Sequence, residues 1–353
     1  MAFEELLNAS DEWFTRPGPL NGTVVSTRVR FARNFEGRKF PHHASAAEQR
    51  EIVETVQRAL MTETDLSHLF FVRLNEVSSL DRQFLTERQL ISAEHAASLG
   101  ERAVAFDEKD GYSFLINEED QIRLQAFRSG LNLKEAVQAL TLVERRLSER
   151  LPFARHAQYG FLTACPTNLG LAFRASVMVH LPALVYTNRI AQVLQGVAQV
   201  GLNVRGLQGE TTQLASAFFQ ISNQSSLGKT ASEIVEHVEQ VARQMVEAET
   251  LAQKALFQNE KDKIVDRIYR ELGTLKFAHL VDLQEGLDGL SGLRVGVTHK
   301  ILKGIDLPNL NRLLIMIQPA HLAKSYKGKM NPHTELIERA ELLNRNLKGV
   351  EPV

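Results

Sequence analysis

Arginines at positions 28 and 30 alternate with Val29 and Phe31 in the run TVVSTRVRF, residues 23–31. In a strand, this alternation sends Val25, Val29 and Phe31 to one face and Ser26, Arg28 and Arg30 to the other. A guanidinium is permanently charged and grips phosphate through paired, planar hydrogen bonds, so several on one face can hold a polyanion. Taken alone, the two arginines read equally as a solvated strand face. The sequence contains neither GxxxxGK[ST] nor GxGxxG. An arginine cage is therefore the remaining route by which this chain could hold a nucleotide triphosphate.

Three further segments carry residue types capable of chemistry. LINEEDQIRLQ (115–125) sets three consecutive acids beside a strand end, which alone reads as a charged turn. ACPTNLGLAFRASVMVHLPAL (164–184) places the single cysteine, Cys165, before Pro, Asn and Gly, and an apolar helix is expected to open just after Arg174. A lone cysteine is more often a small buried hydrophobe than a nucleophile. VRGLQGETTQLASAFFQISNQSSLG (204–228) joins Arg205 to the Gly209-Glu210 pair in an expected loop.

The elements that must position these residues follow from bulk properties and periodicity. With 353 residues the chain exceeds one ordinary core, and about two domains are expected. The 41 basic residues nearly cancel the 42 acidic ones, so there is no general attraction to nucleic acid or anionic lipid, and anion binding must come from local clusters. One cysteine excludes an intrachain disulfide and a Cys-based zinc site, and fits a reducing compartment. The start, MAFEELLNASDEW, lacks an apolar signal core, and stretches such as Leu313 to Ile317 are too short to span a bilayer, so a cytoplasmic location is expected. Strands are expected at 112–116 and at 122–127, where Arg123 and Gln125 share a face. With helical segments between them, the class is mixed α and β. Thr230 and Glu233 form a capping box before a long helix with Ile234, Val238, Val241 and Met245 on one side. Beyond it amphipathic helices dominate, the last capped by Asn331 before Pro332 and carrying Leu336, Ala340, Leu343 and Leu347 at helical spacing. The expected division is 1–254 and 255–353.

The order and spacing of four blocks resemble the guanidino kinase superfamily, which includes arginine kinase, creatine kinase and bacterial protein-arginine kinase. The blocks are STRVRFARN (26–34), NEED with a following Arg (117–123), CPTNLG with RASV (165–177), and RG followed by GE and ISNQ (205–224). The resemblance implies an α+β fold: a catalytic domain with an antiparallel sheet flanked by helices, then a small all-helical C-terminal domain. It implies that Arg28, Arg30, Arg123, Arg174 and Arg205 wrap the phosphates of ATP, supplied with Mg²⁺ and with no dedicated protein metal site. It also implies that Glu119 and Glu210 hold the substrate guanidinium, with Glu118 as a neighbour, and that Cys165 contacts it. These types suit the chemistry. A guanidinium has a pKa above about 12 and is a poor nucleophile until its charge is localised and a proton removed. Two carboxylates can do both, Glu119 as base and Glu210 as orienting partner.

Kinases of free arginine or creatine carry a helical domain before the STRVR-like strand, whereas 25 residues, Trp13 among them, precede Ser26 here. That leader, LKFAHLVDLQEGLDGLSGLRVGV (275–297) and IQPAHL (317–322) resemble the protein-arginine kinase branch. The branch implies protein substrates with exposed arginine, a homodimer, and an activator protein with a protease-chaperone system. A kinase of free arginine or another small guanidino compound, and a catalytically impaired adaptor binding nucleotide or arginine-rich partners, are the alternatives. Several positions depart from the family pattern. Gln89 and Gln121 stand where histidines are usual, GLAFR with Phe173 replaces GTGLR, and GETTQL carries Thr211 and Gln213 in place of a glycine and an acid. ELIERA replaces an RDxxRA element that reads phosphoarginine, so Glu335 and Leu336 stand for Arg and Asp, and only Arg339 and Ala340 remain. A phosphoarginine pocket needs a cation for the phosphate and an acid for the nitrogens. This last helix is therefore expected to serve packing or dimerisation and not to sense phosphoarginine.

Overall fold

A computed structural model of the chain describes residues 13–63, 65–107, 109, 111–206, 215–326, 328 and 330–353, together with 3, 6 and 7. The chain runs through β1 (Val24–Arg33), α1 (Ala46–Thr62), β2 (Phe70–Arg73), α2 (Ser79–Glu87), α3 (Ala93–Ala97), β3 (Ala103–Asp107), β4 (Tyr112–Ile116) and β5 (Ile122–Ser129). After α4 (Leu133–Ser148) come β6 (Phe173–His180), α5 (Pro182–Tyr186), α6 (Ile190–Gln199), β7 (Leu202–Gly206) and β8 (Phe218–Asn223). The remainder is helical apart from a two-residue strand pair: α7 (Ala231–Asn259), α8 (Lys261–Phe277), α9 (Leu283–Thr298), α10 (Leu307–Met316), α11 (Pro319–Ser325) and α12 (Pro332–Leu347).

The eight labelled strands form one sheet in the order β2-β3-β4-β5-β1-β6-β8-β7, antiparallel at every pairing. Val29, Phe31, Leu124, Ala126, Ala175, Val177 and Ile221 point to one face and join the main core, which α4 and α7 cover. A one-residue slip of β1 would expose Val29 and Phe31, each worth about 1.5–3 kcal/mol when buried, and push two arginines into that core. The register of β1 is thereby fixed. On the opposite face a second core of Val104, Phe106 and Leu115 with Phe84 and Leu85 of α2 covers the β2–β4 end. The rest of that face carries Arg28, Arg30, Arg123, Gln125, Arg174, Ser176, Gln220, Ser222 and Arg205, with the buried Phe127 and Met178 beside Arg28 and Gln220.

Two local expectations are corrected. The apolar run after Arg174 is not a helix but the central strand β6, and the helix begins only at Pro182. Residues 175–180 are all buried, so the run lacks the alternation that marks a half-buried strand, and a continuous apolar run does not distinguish helix from strand. The β-branched Val177 and Val179 favour the strand. Pro182 then opens α5, whose free N–H groups at Ala183 and Leu184 donate to the buried carboxylate of Glu249 at 2.9 and 3.0 Å. Arg205 likewise lies on β7 rather than in a loop. The Thr230 capping box forms as the sequence dictates, and Ile234, Val238, Val241 and Met245 are buried. The helix it opens runs unbroken through 254 and 255 to Asn259, and the chain turns at Glu260.

In α12, Asn331 caps by accepting from the Thr334 N–H at 2.9 Å, and Ala340, Leu343 and Leu347 are buried. Arg339 has no exposed surface. Its Nε donates to the Ile317 carbonyl at 2.8 Å, one Nη to the Val281 carbonyl at 3.2 Å, and the other pairs with Glu335. The guanidinium thus pins the turns before α9 and α11 to α12. Arg339→Ala strands two carbonyls and a carboxylate, so chemical denaturation should report a loss of about 3 kcal/mol or more. An unchanged denaturation midpoint would remove this anchoring role.

Candidate active site

Strand register alone collects the five arginines. Arg30 lies opposite Arg174 on β6 and Gln125 on β5, and Arg28 lies opposite Ser176. Ala32, two residues beyond Arg30, lies opposite Arg123. Ser176 faces Ser222 on β8, and Gln220, two residues earlier, faces Arg205 on β7. Directly paired residues share a face, as do residues two apart. Arg28, Arg30, Arg123, Arg174 and Arg205, from four strands, therefore all project from the polar face.

Their electrostatics are those of an anion site. Burial pushes the Arg28 guanidinium down to about 10, helped by repulsion from Arg174 and Arg123. Arg30 is driven well below the usual arginine range by burial and then by Arg28, Arg123 and Arg174. Arg174 is lowered by burial and by Arg205 and Arg123. The Nε atoms of Arg28 and Arg30 are shut from solvent and have no hydrogen-bond partner among the described residues. Orientation comes from neutral side chains: Ser222 Oγ accepts from Arg174 at 2.9 and 3.2 Å, and Gln220 Oε1 from Arg28 at 3.4 Å. Crowded cations with spare donors are relieved together by a polyanion. Arg205 is exposed at the rim. Its replacement by alanine should weaken ATP binding or turnover by more than about tenfold, or 1.4 kcal/mol, and unaltered kinetics would remove it from the site.

The acids of the NEED block go three ways from one turn. Asn117 takes a left-handed backbone (φ 60°), which asparagine tolerates, and its amide donates to the Gln49 and Glu101 carbonyls at 2.8 Å. Glu118 turns inward, with 7% of its side chain exposed, pairs with Arg123 and accepts from Ser92 Oγ at 2.5 Å. Asp120 is buried and accepts from Asn34 Nδ2 and from the Ala164 N–H, both at 2.7 Å. Glu119 points outward, 44% exposed, and accepts from Arg123 Nη2 at 3.0 Å and Asn168 Nδ2 at 3.5 Å. Burial would raise Glu118, yet Arg123, Ser92, His95 and Arg30 outweigh it and hold its carboxyl below the usual range. Glu119 moves the other way: burial, Asp120 and Glu118 raise it against the pull of Arg123. A base works only when deprotonated, so activity is present above this raised pKa and lost as pH falls through it. The acid limb of kcat/KM should lie above 4.5, the ordinary value for glutamate, and a limb at or below it would exclude Glu119 as the base.

Cys165 sits half-buried in a loop tied to this turn on both sides, through Ala164 to Asp120 and through Asn168 to Glu119. Its Sγ lies 3.0 Å from Thr167 Oγ1. Glu210, Thr211 and Gln213 lie outside the described residues. Gln89 is exposed just after α2, whereas Gln121 is buried, accepting from the Phe35 N–H at 2.5 Å and donating to the Lys39 carbonyl at 2.9 Å. Phe173 is core, packed on Phe31 with ring centroids 5.4 Å apart. Sequence reasoning missed Ser92, Asn168, Gln220 and Ser222. Alternation in FQISN signals the last two, but nothing local signals the first two.

Comparison with known proteins agrees with this geometry. Residues 51–252 match the family described as ATP:guanido phosphotransferase, C-terminal catalytic domain, and residues 261–352 match the protein-arginine kinase McsB C-terminal domain. The protein-arginine kinase of Symbiobacterium thermophilum is 38% identical over 354 residues, covering 99% of this chain and 100% of that protein. That of Bacillus subtilis is 36% identical, covering 96% and 94%. Among solved structures, lombricine kinase shares the fold, with a TM-score of 0.59 at 23% identity over 70% of this chain and 71% of that one. A sheet face of five arginines beside an outward carboxylate, on a chain alike from end to end, places the protein in the protein-arginine kinase family, as an ATP-dependent guanidino phosphotransferase.

Proposed function

We propose that the chain transfers the γ-phosphoryl group of ATP to the guanidino group of arginine side chains in proteins. The observation that carries this reading is the convergence of five arginines on one sheet face beside Glu119, an acceptor exposed to an incoming cation. Glu119 takes a proton from a guanidinium nitrogen, and the freed lone pair attacks the γ-phosphorus. The bond to the β–γ bridging oxygen breaks and ADP leaves. Arg28, Arg30, Arg123, Arg174 and Arg205 neutralise the phosphate oxygens, while Glu210 and Cys165 orient the guanidinium. Glu118 acts from beneath by holding Arg123. Among the described residues no group of three or more His, Cys, Asp or Glu is placed to hold a metal ion. Mg²⁺ would be held here chiefly by the phosphates of the nucleotide and not by a protein cage, and would supply further neutralisation of phosphate charge beside Arg28, Arg30, Arg123, Arg174 and Arg205.

Residues 1–254 form the catalytic part of this reading and 255–353 the helical part. A cytoplasmic homodimer served by an activator protein and a protease-chaperone system completes it. Among the described residues no helix is long and apolar enough to cross a membrane. The test offers the chain ATP–Mg²⁺ with either an unrelated folded protein or free arginine, and seeks acid-labile phosphate on arginine by mass spectrometry. Phosphate on free arginine alone would overturn the protein acceptor, and phosphate on neither would overturn the activity.

A further inference from the structure

Asn34 closes the first of the four blocks, one residue past β1 and beyond the arginines that face phosphate. Its side chain is buried, and both ends of the amide are engaged. Nδ2 donates to Asp120 Oδ1 at 2.7 Å and to the Leu162 carbonyl at 3.0 Å, while Oδ1 accepts from the Gln121 N–H at 2.9 Å. An asparagine amide has two donors and an acceptor oxygen, so each kind is used. The end of the arginine-bearing strand is thereby bonded to the turn that carries Glu119 and to the chain that leads into Cys165.

Asp120 extends the link. Its Oδ1 also accepts from the Ala164 N–H at 2.7 Å, whereas Oδ2 is shut from solvent with no hydrogen-bond partner among the described residues. A buried carboxylate depends on its donors, so Asn34 sets the position from which Asp120 receives Ala164. Ala164 adjoins Cys165 and Asp120 adjoins Glu119, which puts this bond between the two groups assigned to the acceptor guanidinium. The tie from Asn168 Nδ2 to Glu119 is long, at 3.5 Å. Away from the gap, each part has support of its own. Arg33 Nη1 donates to the Leu171 carbonyl at 3.0 Å and holds the far shoulder of the Cys165 loop. Asn117 and Gln121 pin the turn to the Gln49, Glu101 and Lys39 carbonyls. What Asn34 governs is the spacing of loop and turn.

We propose that Asn34 is a positioning residue for phosphoryl transfer: with Asp120 it sets the separation of Cys165 from Glu119, and so the slot that receives the acceptor guanidinium. The role rests on Glu119 and Cys165 being the acceptor-side groups of the proposed function. Asn34 touches neither substrate, and the pairing of β1 with β5 and β6 ends before it. Its effect therefore belongs in turnover and acceptor binding, not in the arginine face that receives ATP.

The test compares Asn34→Ala and Asn34→Asp with the parent in the full chain. It measures kcat, the KM values for ATP and protein acceptor, and the rate at which iodoacetamide alkylates Cys165, the single cysteine. A misplacement of about 1 Å can cost a hundredfold, so the alanine variant should lose more than about tenfold in kcat/KM for the acceptor. Its KM for ATP should stay within about twofold of the parent, and Cys165 should be alkylated faster as the loop is released. Aspartate keeps the shape and the acceptor for Gln121 but has no donor for Asp120, and should be at least as impaired as alanine. Asn34→Ser, polar but too short to reach Asp120, replaces alanine if that variant does not fold. Parental acceptor kinetics in any of these variants would overturn the proposal, as would a loss shared equally by ATP and acceptor, or an unchanged alkylation rate in the alanine or serine variant. Glu119→Gln separates the two readings: if it is silent, the acceptor-site assignment fails and the positioning role with it, whereas an impaired Glu119→Gln beside a parental Asn34→Ala sinks the positioning role alone.

Discussion

Glu119→Gln should bind ATP almost as the parent does and transfer phosphate at least about a hundredfold more slowly. The amide keeps the size of the carboxylate and an oxygen for Arg123 Nη2 and Asn168 Nδ2, which lie at 3.0 and 3.5 Å. It cannot accept the guanidinium proton. The arginine face is left intact, because Arg123 is also paired with Glu118 beneath it. The adjacent carboxylate supplies the contrast. Glu118→Gln weakens the grip on Arg123 and should act mainly on the KM for ATP. Two neighbouring glutamates with opposite kinetic signatures would be hard to obtain from a general loss of folding. Rapid-quench measurement of the first turnover separates the chemical step from product release. A parental rate in that experiment would end the assignment of Glu119 as base, and a matching loss of ATP affinity would move it into the nucleotide site.

The sequence made the arginine face legible because strand alternation needs no distant information. Arg28 and Arg30 declare their shared face within nine residues of chain. That Arg174 stands opposite Arg30, and Arg205 opposite Gln220, is a property of strand register. Only the four-block resemblance linked these positions beforehand. The run 175–180 reads as helix for a physical reason: a strand segment buried on both faces lacks the alternation that identifies a strand. The three acids of NEED were readable as a cluster, but their division into inward, outward and structural roles depends on Ser92 and Ala164, residues remote in sequence. Gln121 illustrates the converse. It departs from the family histidine, yet its two hydrogen bonds, to Phe35 N and the Lys39 carbonyl, give it a structural task that composition could not disclose. At α12, charge alone speaks against a phosphoarginine pocket, whereas the anchoring of Arg339 by Glu335 and two carbonyls is visible only in the folded chain.

Arg30→Ala should separate stability from function. Arg30 lies at the centre of the face, opposite Arg174 on one side and Gln125 on the other. Burial and three like charges lower its pKa, so holding Arg30 charged in the free protein opposes folding. The sign follows: for a cation whose folded pKa is depressed, the folded state disfavours the charged form, and removing the group removes that penalty. The lost aliphatic stem offsets part of the gain. The melting temperature of the nucleotide-free variant should therefore be unchanged or raised. Function should move the other way, because one of the central phosphate-facing donors is gone. By analogy with deletion of one preorganised donor to a developing charge, kcat/KM for ATP should fall by about 10²–10³, equivalent to about 2.7–4 kcal/mol. The thermal shift produced by ATP should shrink with it. Arg30→Lys restores a charge without the planar fork and should recover only part of the loss. A variant that melts earlier yet keeps parental ATP kinetics would show that Arg30 braces the sheet and does not receive phosphate.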